Sequence, residues 1–297
     1  MLSVALPTVA IPKARDVEVG DQRIVGTYEY GDPGGSPVFV LHGTPACGAG
    51  FAWADDAARG RGLRLIAPDR PGVGRSTPRP AGRVADYPRQ VTELADVLGV
   101  GRFAVLGYSG GGPYAAACAA MLSDRVTAVA VASGMGQVGA WATIGDFEKT
   151  DRQLLDMVQK RPWLARLMLG VSVRLARLSP KSAVKSFEKE LSPADRALVP
   201  TLGSPKEVIA LFTEAFGRSG TRGVLDDYAA IAQTWGVDVG TIAVPVTIWH
   251  GAEDTMVPVR HAEALHALVP NSELVIWPDA GHLGPVAHIG EILDSLR

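Results

Sequence analysis

Cysteine is nearly absent: the 297-residue chain has two, Cys47 and Cys118, well separated. Two isolated thiols exclude a disulfide framework and a cysteine-built zinc site. They read as small buried side chains in a reducing compartment. A charge excess is missing as well, because 29 basic and 31 acidic residues leave a formal charge of -2. That balance offers no basic field for nucleic acid. No stretch reaches about 18 uninterrupted apolar residues, which excludes a membrane-spanning helix. The first twelve residues, MLSVALPTVAIP, are apolar but lack a basic n-region, contain Pro7 and Pro12, and run into Lys13 and Arg15. They lack the pattern of an export signal. The expectation is a cytoplasmic chain with a loosely attached N-terminal extension. Glycine (34) and proline (21) are plentiful, yet no fixed glycine period accompanies them, so a collagen-like chain is excluded. The 47% hydrophobic content excludes disorder.

What is present is an alternation of short apolar runs and helical patterns. Val17–Tyr30 alternates around Gly20-Asp21 and reads as a β-hairpin. Pro37–Leu41, Leu63–Ala67, Phe103–Leu106 and Val126–Ala132 are apolar without alternation, the pattern of strands buried on both faces of a parallel sheet. Between the last three lie helical patterns at about Tyr87–Leu98, closed by Gly99, and Pro113–Leu122. Strand–helix alternation at this spacing predicts a parallel sheet covered by helices on both faces. From about Gln137 to Trp235 the periodicity is helical and no buried strand stands out. The α/β texture returns at Val244–Trp249 and Glu273–Trp277, with helices at Val259–Leu268 and about Ala287–Leu296. The simplest organisation is one sheet domain, residues 1–136 and 236–297, interrupted by a helical cap, residues 137–235.

The strongest chemical signal is Gly107-Tyr108-Ser109-Gly110-Gly111, a G-x-S-x-G between a buried strand and a helix. A nucleophile on such a turn needs strained backbone angles and small neighbours, and the turn lifts the Ser109 hydroxyl to a helix N-terminus. The ending lacks the Gly-Lys-Ser/Thr of a phosphate loop, and no G-x-G-x-x-G is present. A serine hydroxyl needs a positioned base. His282, on the loop after the last strand, lies where ligand groups of open α/β sheets collect, whereas His261, His266 and His288 fall on predicted helices. The base in turn needs an anion. Asp254, after the penultimate strand, is the first choice; its competitors are Glu253 and Asp279, the latter too near His282 in sequence to approach easily from behind the ring. Oxyanion donors are expected from the backbone amides of Gly110 and Thr44, since Pro45 has no N–H.

The order Ser109, Asp254, His282 resembles the α/β-hydrolase fold family. The resemblance includes His42-Gly43-Thr44-Pro45 as an oxyanion loop, Asp69-Arg70-Pro71-Gly72-Val73-Gly74-Arg75-Ser76 as a D-x-x-G-x-G-x-S segment, the nucleophile elbow, Asp254 and Gly281-His282. It implies an eight-stranded, mostly parallel sheet flanked by helices, a helical cap after the sixth strand, and no cofactor or metal. It also implies that Asp69 and Arg70 hold the loop beside the oxyanion site. Epoxide hydrolases and haloalkane dehalogenases of this fold attack with an aspartate at the elbow, so Ser109 argues against both. Proline iminopeptidases carry H-G-G-P-G where this chain has His42-Gly43-Thr44-Pro45-Ala46, which weakens that reading without removing it.

The expected activity is that of a serine hydrolase, esterase-like, acting on a carboxylic ester, lactone or thioester of a small molecule. The alternatives are an aminopeptidase or amidase, a non-hydrolytic tailoring enzyme, and a ligand receptor on the same fold. His42, Tyr108, Trp141, Trp163, Phe212 and Phe216 are candidate substrate contacts, with Phe147 and Trp235 as further aromatic candidates. The segment Arg161–Gly170 mixes large apolar residues with arginines, and Arg174, Arg177, Lys181, Lys185 and Lys189 continue the basic trend. The bland expectation is a solvated helix whose apolar side packs on the sheet domain. The alternative is a mouth for anionic or amphipathic substrates, or a surface resting on acidic lipid. The apolar segments would also suit a homodimer.

Overall fold

The computed structural model describes residues 13–79 and 82–297. The expected N-terminal extension lies outside the described residues. Eight strands form one sheet: β1 Arg15–Val19, β2 Arg23–Gly31, β3 Ser36–Leu41, β4 Leu63–Pro68, β5 Phe103–Tyr108, β6 Val126–Ala132, β7 Val246–Gly251 and β8 Ser272–Trp277. Their order across the sheet is β1-β2-β4-β3-β5-β6-β7-β8. The β1/β2 hairpin is antiparallel and joins β4 antiparallel; every later pairing is parallel. This is the expected mostly parallel sheet. The hairpin turn is looser than a two-residue turn: Gly20–Gln22 form a short 3-10 turn, with Asp21 and Gln22 at positive φ.

The centre of the sheet explains the unalternating runs. In β3, Val38, Phe39, Val40 and Leu41 are all fully buried, because helices cover both faces. Phe39 meets Phe103 of the neighbouring β5 edge-on at 4.7 Å, and burying such a ring contributes about 2–3 kcal/mol. Helices α1 Asp55–Arg59, α2 Tyr87–Val97 and α3 Gly112–Met121 connect the early strands. Gly99, at φ +69°, ends α2 as its residue type allows. Near the end of the chain α10 Arg260–Leu268 links β7 to β8, and the expected terminal helix is broken at His288 into α11 Gly284–Ala287 and α12 Ile289–Asp294 (numbering the six helices between β6 and β7 as α4–α9).

Those six are α4 Lys149–Lys160, α5 Pro162–Leu178, α6 Pro180–Phe187, α7 Pro193–Leu198, α8 Pro205–Glu214 and α9 Thr221–Ile231. Proline in the first turn starts α5, α6, α7 and α8, where its missing N–H costs nothing. Ser192 and Ser204 cap α7 and α8 by accepting the Asp195 and Glu207 amides. One expectation fails here. The apolar side of α5 does not pack on the sheet domain: Ala165 is its only fully buried residue. Trp163, Leu167, Met168, Val171, Leu175 and Leu178 face solvent, while α4, α8 and α9 pack against the opposite side.

Candidate active site

The ends of β5, β7 and β8 converge on Ser109. Ser109 sits at φ +53°, in the left-handed region that a non-glycine residue occupies only when its surroundings force it there. Small neighbours make the turn sterically feasible. A Cβ on Gly107 would lie 2.6 Å from the Ala115 Cβ and the Gly111 carbonyl oxygen, and one on Gly111 would lie 2.0 Å from the Leu41 oxygen. His282 Nε2 lies 3.0 Å from Ser109 Oγ. On the other side of the ring, Nδ1 donates to Asp254 Oδ2 at 2.8 Å. An ionised carboxylate only accepts, so this bond fixes the tautomer and leaves Nε2 free to accept the serine proton.

Asp254 is aimed by its own loop, where Oδ1 accepts the Met256 and Val257 amides at 2.9 Å each. Buried His250 lies 3.2 Å from Oδ2 and donates its Nε2 proton to the Val257 carbonyl. Burial works against the Asp254 charge, yet His282 and His250 overcome it and hold its pKa below the carboxylate range. For His282 burial disfavours the imidazolium, but the Asp254 carboxylate outweighs it and the net shift is upward. Glu253 and Asp279, the competitors for this role, both point to solvent.

Opposite the histidine, the His42–Pro45 loop packs on the elbow. A Cβ on Gly43 would sit 3.1 Å from the Ser109 Cβ, and one on Gly110 would sit 3.0 Å from the Thr44 nitrogen. The Thr44 and Gly110 backbones therefore nearly touch beside Ser109. Arg70 builds this loop from below. It donates to the His42 carbonyl, to the Gly43 carbonyl at 3.0 Å and to Thr44 Oγ1 at 2.7 Å. Its charge is met by Asp227 of α9 through two bonds of 2.7 Å. Asp227 also accepts the Thr44 hydroxyl at 2.5 Å and the Tyr114 hydroxyl at 2.7 Å. Burial raises the cost of this carboxylate, but Arg70 leaves its pKa below the ordinary value. Asp69 next door accepts the Gly48 and Arg75 amides, so it ties its own turn to the segment beyond the loop, and Arg70 alone of the two bonds residues 42–44.

Sequence reasoning missed three carboxylates from the inserted helices. Besides Asp227, buried Asp195 of α7 accepts the amides of His282 and Leu283 at 2.8 Å each. Gly281 permits that approach, since a Cβ there would lie 2.3 Å from Asp195 Oδ2. Asp151 of α4 accepts the Tyr228 hydroxyl at 2.7 Å, and Tyr228 also reaches the Thr44 carbonyl at 3.4 Å. Burial pushes the Asp151 pKa up to about 6, against the pull of Tyr228 and His282. None of the three lies in a recognisable catalytic motif; Asp195 stands only in the Ser192-x-x-Asp195 pattern of a helix cap.

The expected substrate contacts fare unevenly. His42 is corrected: it is buried, its Nδ1 bonds the Gly43 carbonyl and its Nε2 accepts the Arg70 amide, so no ring nitrogen is left for a substrate. Burial lowers its pKa to about 3 and keeps it neutral. Tyr108 donates its hydroxyl to the His282 carbonyl at 3.1 Å and holds the histidine loop. Trp141 packs edge-on against Trp235, and Phe216 is buried in the core. Trp163 and Phe212 face solvent at 69% and 42% exposure. Phe147 packs edge-on against His261. Among the described residues no group of three or more His, Cys, Asp or Glu is placed to hold a metal ion.

Comparison with known proteins agrees with this architecture. The family described as alpha/beta hydrolase fold matches residues 36–288, and the chain belongs to that family. It is 26% identical over 270 residues to an uncharacterized hydrolase, YcgS, of Bacillus subtilis strain 168, covering 87% of this chain and 89% of the relative. It is also 26% identical to haloalkane dehalogenase 2 of Mycobacterium tuberculosis, covering 86% of this chain and 85% of that one. Among solved structures, an esterase from Exiguobacterium antarcticum superposes with a TM-score of 0.68 at 20% identity, covering 95% of this chain and 98% of the other. A bromoperoxidase from Bacillus anthracis gives 0.70, also at 20% identity and with the same coverage. Likeness at that identity speaks for the fold. Family membership supports a hydrolase. No helix among the described residues is long and apolar enough to cross a membrane.

Proposed function

We propose that the protein is a serine hydrolase of a small-molecule carboxylic ester, lactone or thioester, and that residues 137–235 form its cap. The carrying observation is the unbroken Asp254–His282–Ser109 hydrogen-bond chain ending on a serine in a left-handed turn. Ser109 attacks the acyl carbonyl as His282 Nε2 takes its proton, and the imidazolium forms against Asp254. The Thr44 and Gly110 amides receive the oxyanion, a contribution on the order of a hundredfold or more in rate per donor. His282 then protonates the leaving group and activates water to release the acyl-enzyme. A serine at the elbow separates this chemistry from the aspartate attack of the dehalogenases. Ser109→Ala and His282→Ala are expected to abolish turnover of fold-intact protein, and hydrolysis in labelled water should place one solvent oxygen in the product acid. Formation of an acylated acceptor in place of labelled acid would point to acyl transfer or another tailoring reaction.

A second reading, an aminoacyl substrate, draws support from Asp151. Its carboxylate lies within electrostatic reach of His282, on a cap helix, with one oxygen held by Tyr228. An ionised Asp151 would receive an ammonium group beside the scissile carbonyl. The discriminating measurement is the ratio of kcat/KM for an α-amino ester to that of its desamino analogue. On this reading the ratio exceeds one and collapses in Asp151→Asn. A ratio at or below one in both proteins leaves the plain ester reading.

A further inference from the structure

The outer face of α5 exposes a concentration of large apolar side chains. On a helix, residues advance roughly 100° each, so Trp163, Leu167, Leu178, Val171, Leu175 and Met168 fall within one stripe roughly 140° wide. All six are exposed, at 69%, 59%, 73%, 50%, 59% and 46%. They account for six of the eleven exposed large hydrophobic side chains of the described residues, all on one helix of 17 residues. That helix is about 26 Å long. Single exposed leucines need no explanation, but a contiguous stripe marks an interaction surface.

The charges say what the stripe meets. From Arg161 to Lys185 the chain carries Arg161, Arg166, Arg174, Arg177, Lys181 and Lys185, and the first acidic residue after them is Glu188. None of these six cations forms an ion pair with a described residue. Arg166 and Arg177 border one edge of the stripe by the same angular count, and Arg174 stands within it. Arg166 has Asp226 of α9 within electrostatic reach and Arg177 donates to the Thr213 carbonyl at 3.2 Å, whereas Arg174, within the stripe, has no such partner among the described residues. A second copy seated across a two-fold axis would bring a like charge into the same apolar face. An anionic surface meets the same pattern with attraction throughout. We infer that α5 is an interfacial helix that seats the protein on a membrane bearing anionic lipids. The apolar stripe enters the headgroup boundary, the arginines bind lipid phosphates, and the cap faces the source of apolar substrates. The seating holds whether or not Ser109 is the nucleophile.

Flotation of the full chain with phosphatidylcholine vesicles, with and without added phosphatidylglycerol, tests this. Ser109→Ala protein is assayed in parallel, so that binding is read apart from turnover. Binding is expected only with the anionic lipid, and it should weaken as salt rises. Arg166→Gln and Arg174→Gln should each lower partitioning about fivefold. Leu167→Gln with Leu175→Gln should abolish it while turnover of a soluble ester stays at the native level. These positions are exposed, so folding is retained. The inference is overturned by absence of binding, by binding that is the same without the anionic lipid, or by binding that none of these variants lowers. It is equally overturned if sedimentation shows a dimer that Leu167→Gln dissociates while vesicles recruit nothing, because the stripe would then be a self-association surface.

Discussion

Replacing Asp227 with asparagine tests the idea that the inserted helices build part of the catalytic site. The carboxylate accepts from four donor groups on three residues: the Arg70 Nε and Nη2, the Thr44 hydroxyl and the Tyr114 hydroxyl. Asparagine keeps the shape but removes the charge and turns one acceptor into an NH2 group that confronts donors. Arg70 is left buried without a counter-ion, since the side chains of the pair are only 2% and 4% exposed. Removing one partner of such a pair costs about 3–5 kcal/mol. The functional loss should exceed what stability alone explains, because the same guanidinium holds the His42 and Gly43 carbonyls and the Thr44 hydroxyl. With the oxyanion loop released, kcat per titrated active site should fall on the order of a hundredfold while KM changes little. Urea melts give the first quantity, and burst titration followed by steady-state kinetics gives the second. Tyr114→Phe removes one donor and keeps the charge, so it should cost only about 1–3 kcal/mol and spare kcat. The reasoning is refuted if Asp227→Asn loses under about 1 kcal/mol, or if kcat per active site stays native.

Three further outcomes follow from the same geometry. Ser109→Gly should abolish activity yet raise thermal stability by about 1 kcal/mol, because it relieves a left-handed serine; a lower melting temperature would show that the turn is not strained. The raised pKa of His282 gives activity and stability opposite pH slopes. A base must be neutral, so kcat/KM rises as pH passes the folded-state pKa. The stability this group contributes is complete below the unfolded pKa and is lost as pH rises through the folded one. Asp254→Asn should move the kinetic midpoint downward, and an unmoved midpoint would remove Asp254 from the role. Gly281→Ala should push Asp195 off the His282 and Leu283 amides and cut kcat at least tenfold, on the order of one charge-assisted hydrogen bond; native kinetics in that variant would show that the loop needs no such anchor.

The sheet and the meeting of Ser109, His282 and Asp254 were legible because their signals are local. Buried parallel strands read as unalternating apolar runs, and Ser109, Asp254 and His282 each follow such a run at the same sheet edge. The closeness of Thr44 to the Gly110 backbone was legible for the same reason, from its place after β3 and before a proline. His42 was misread because a polar residue at a strand end looks like a site residue, whereas the remote amide that occupies its Nε2, that of Arg70, is visible only in three dimensions. Asp151, Asp195 and Asp227 left no signal. Each lies on a helix with no catalytic motif and acquires meaning from a residue on a separate element, 157 positions away in the case of Arg70 and Asp227. The orientation of α5 was illegible for another reason. Leu169 and Val173 lie inward and Leu167 and Leu175 outward, so apolar residues surround the helix and periodicity selects no inner face.

The central claim is that Ser109 is an activated nucleophile. Intact-mass spectrometry after incubation with a fluorophosphonate measures it directly, comparing the native chain with Ser109→Ala. The account predicts one covalent adduct that maps to Ser109 and is absent from the variant. A folded native chain that takes up no probe, or takes it up at another residue, would contradict it.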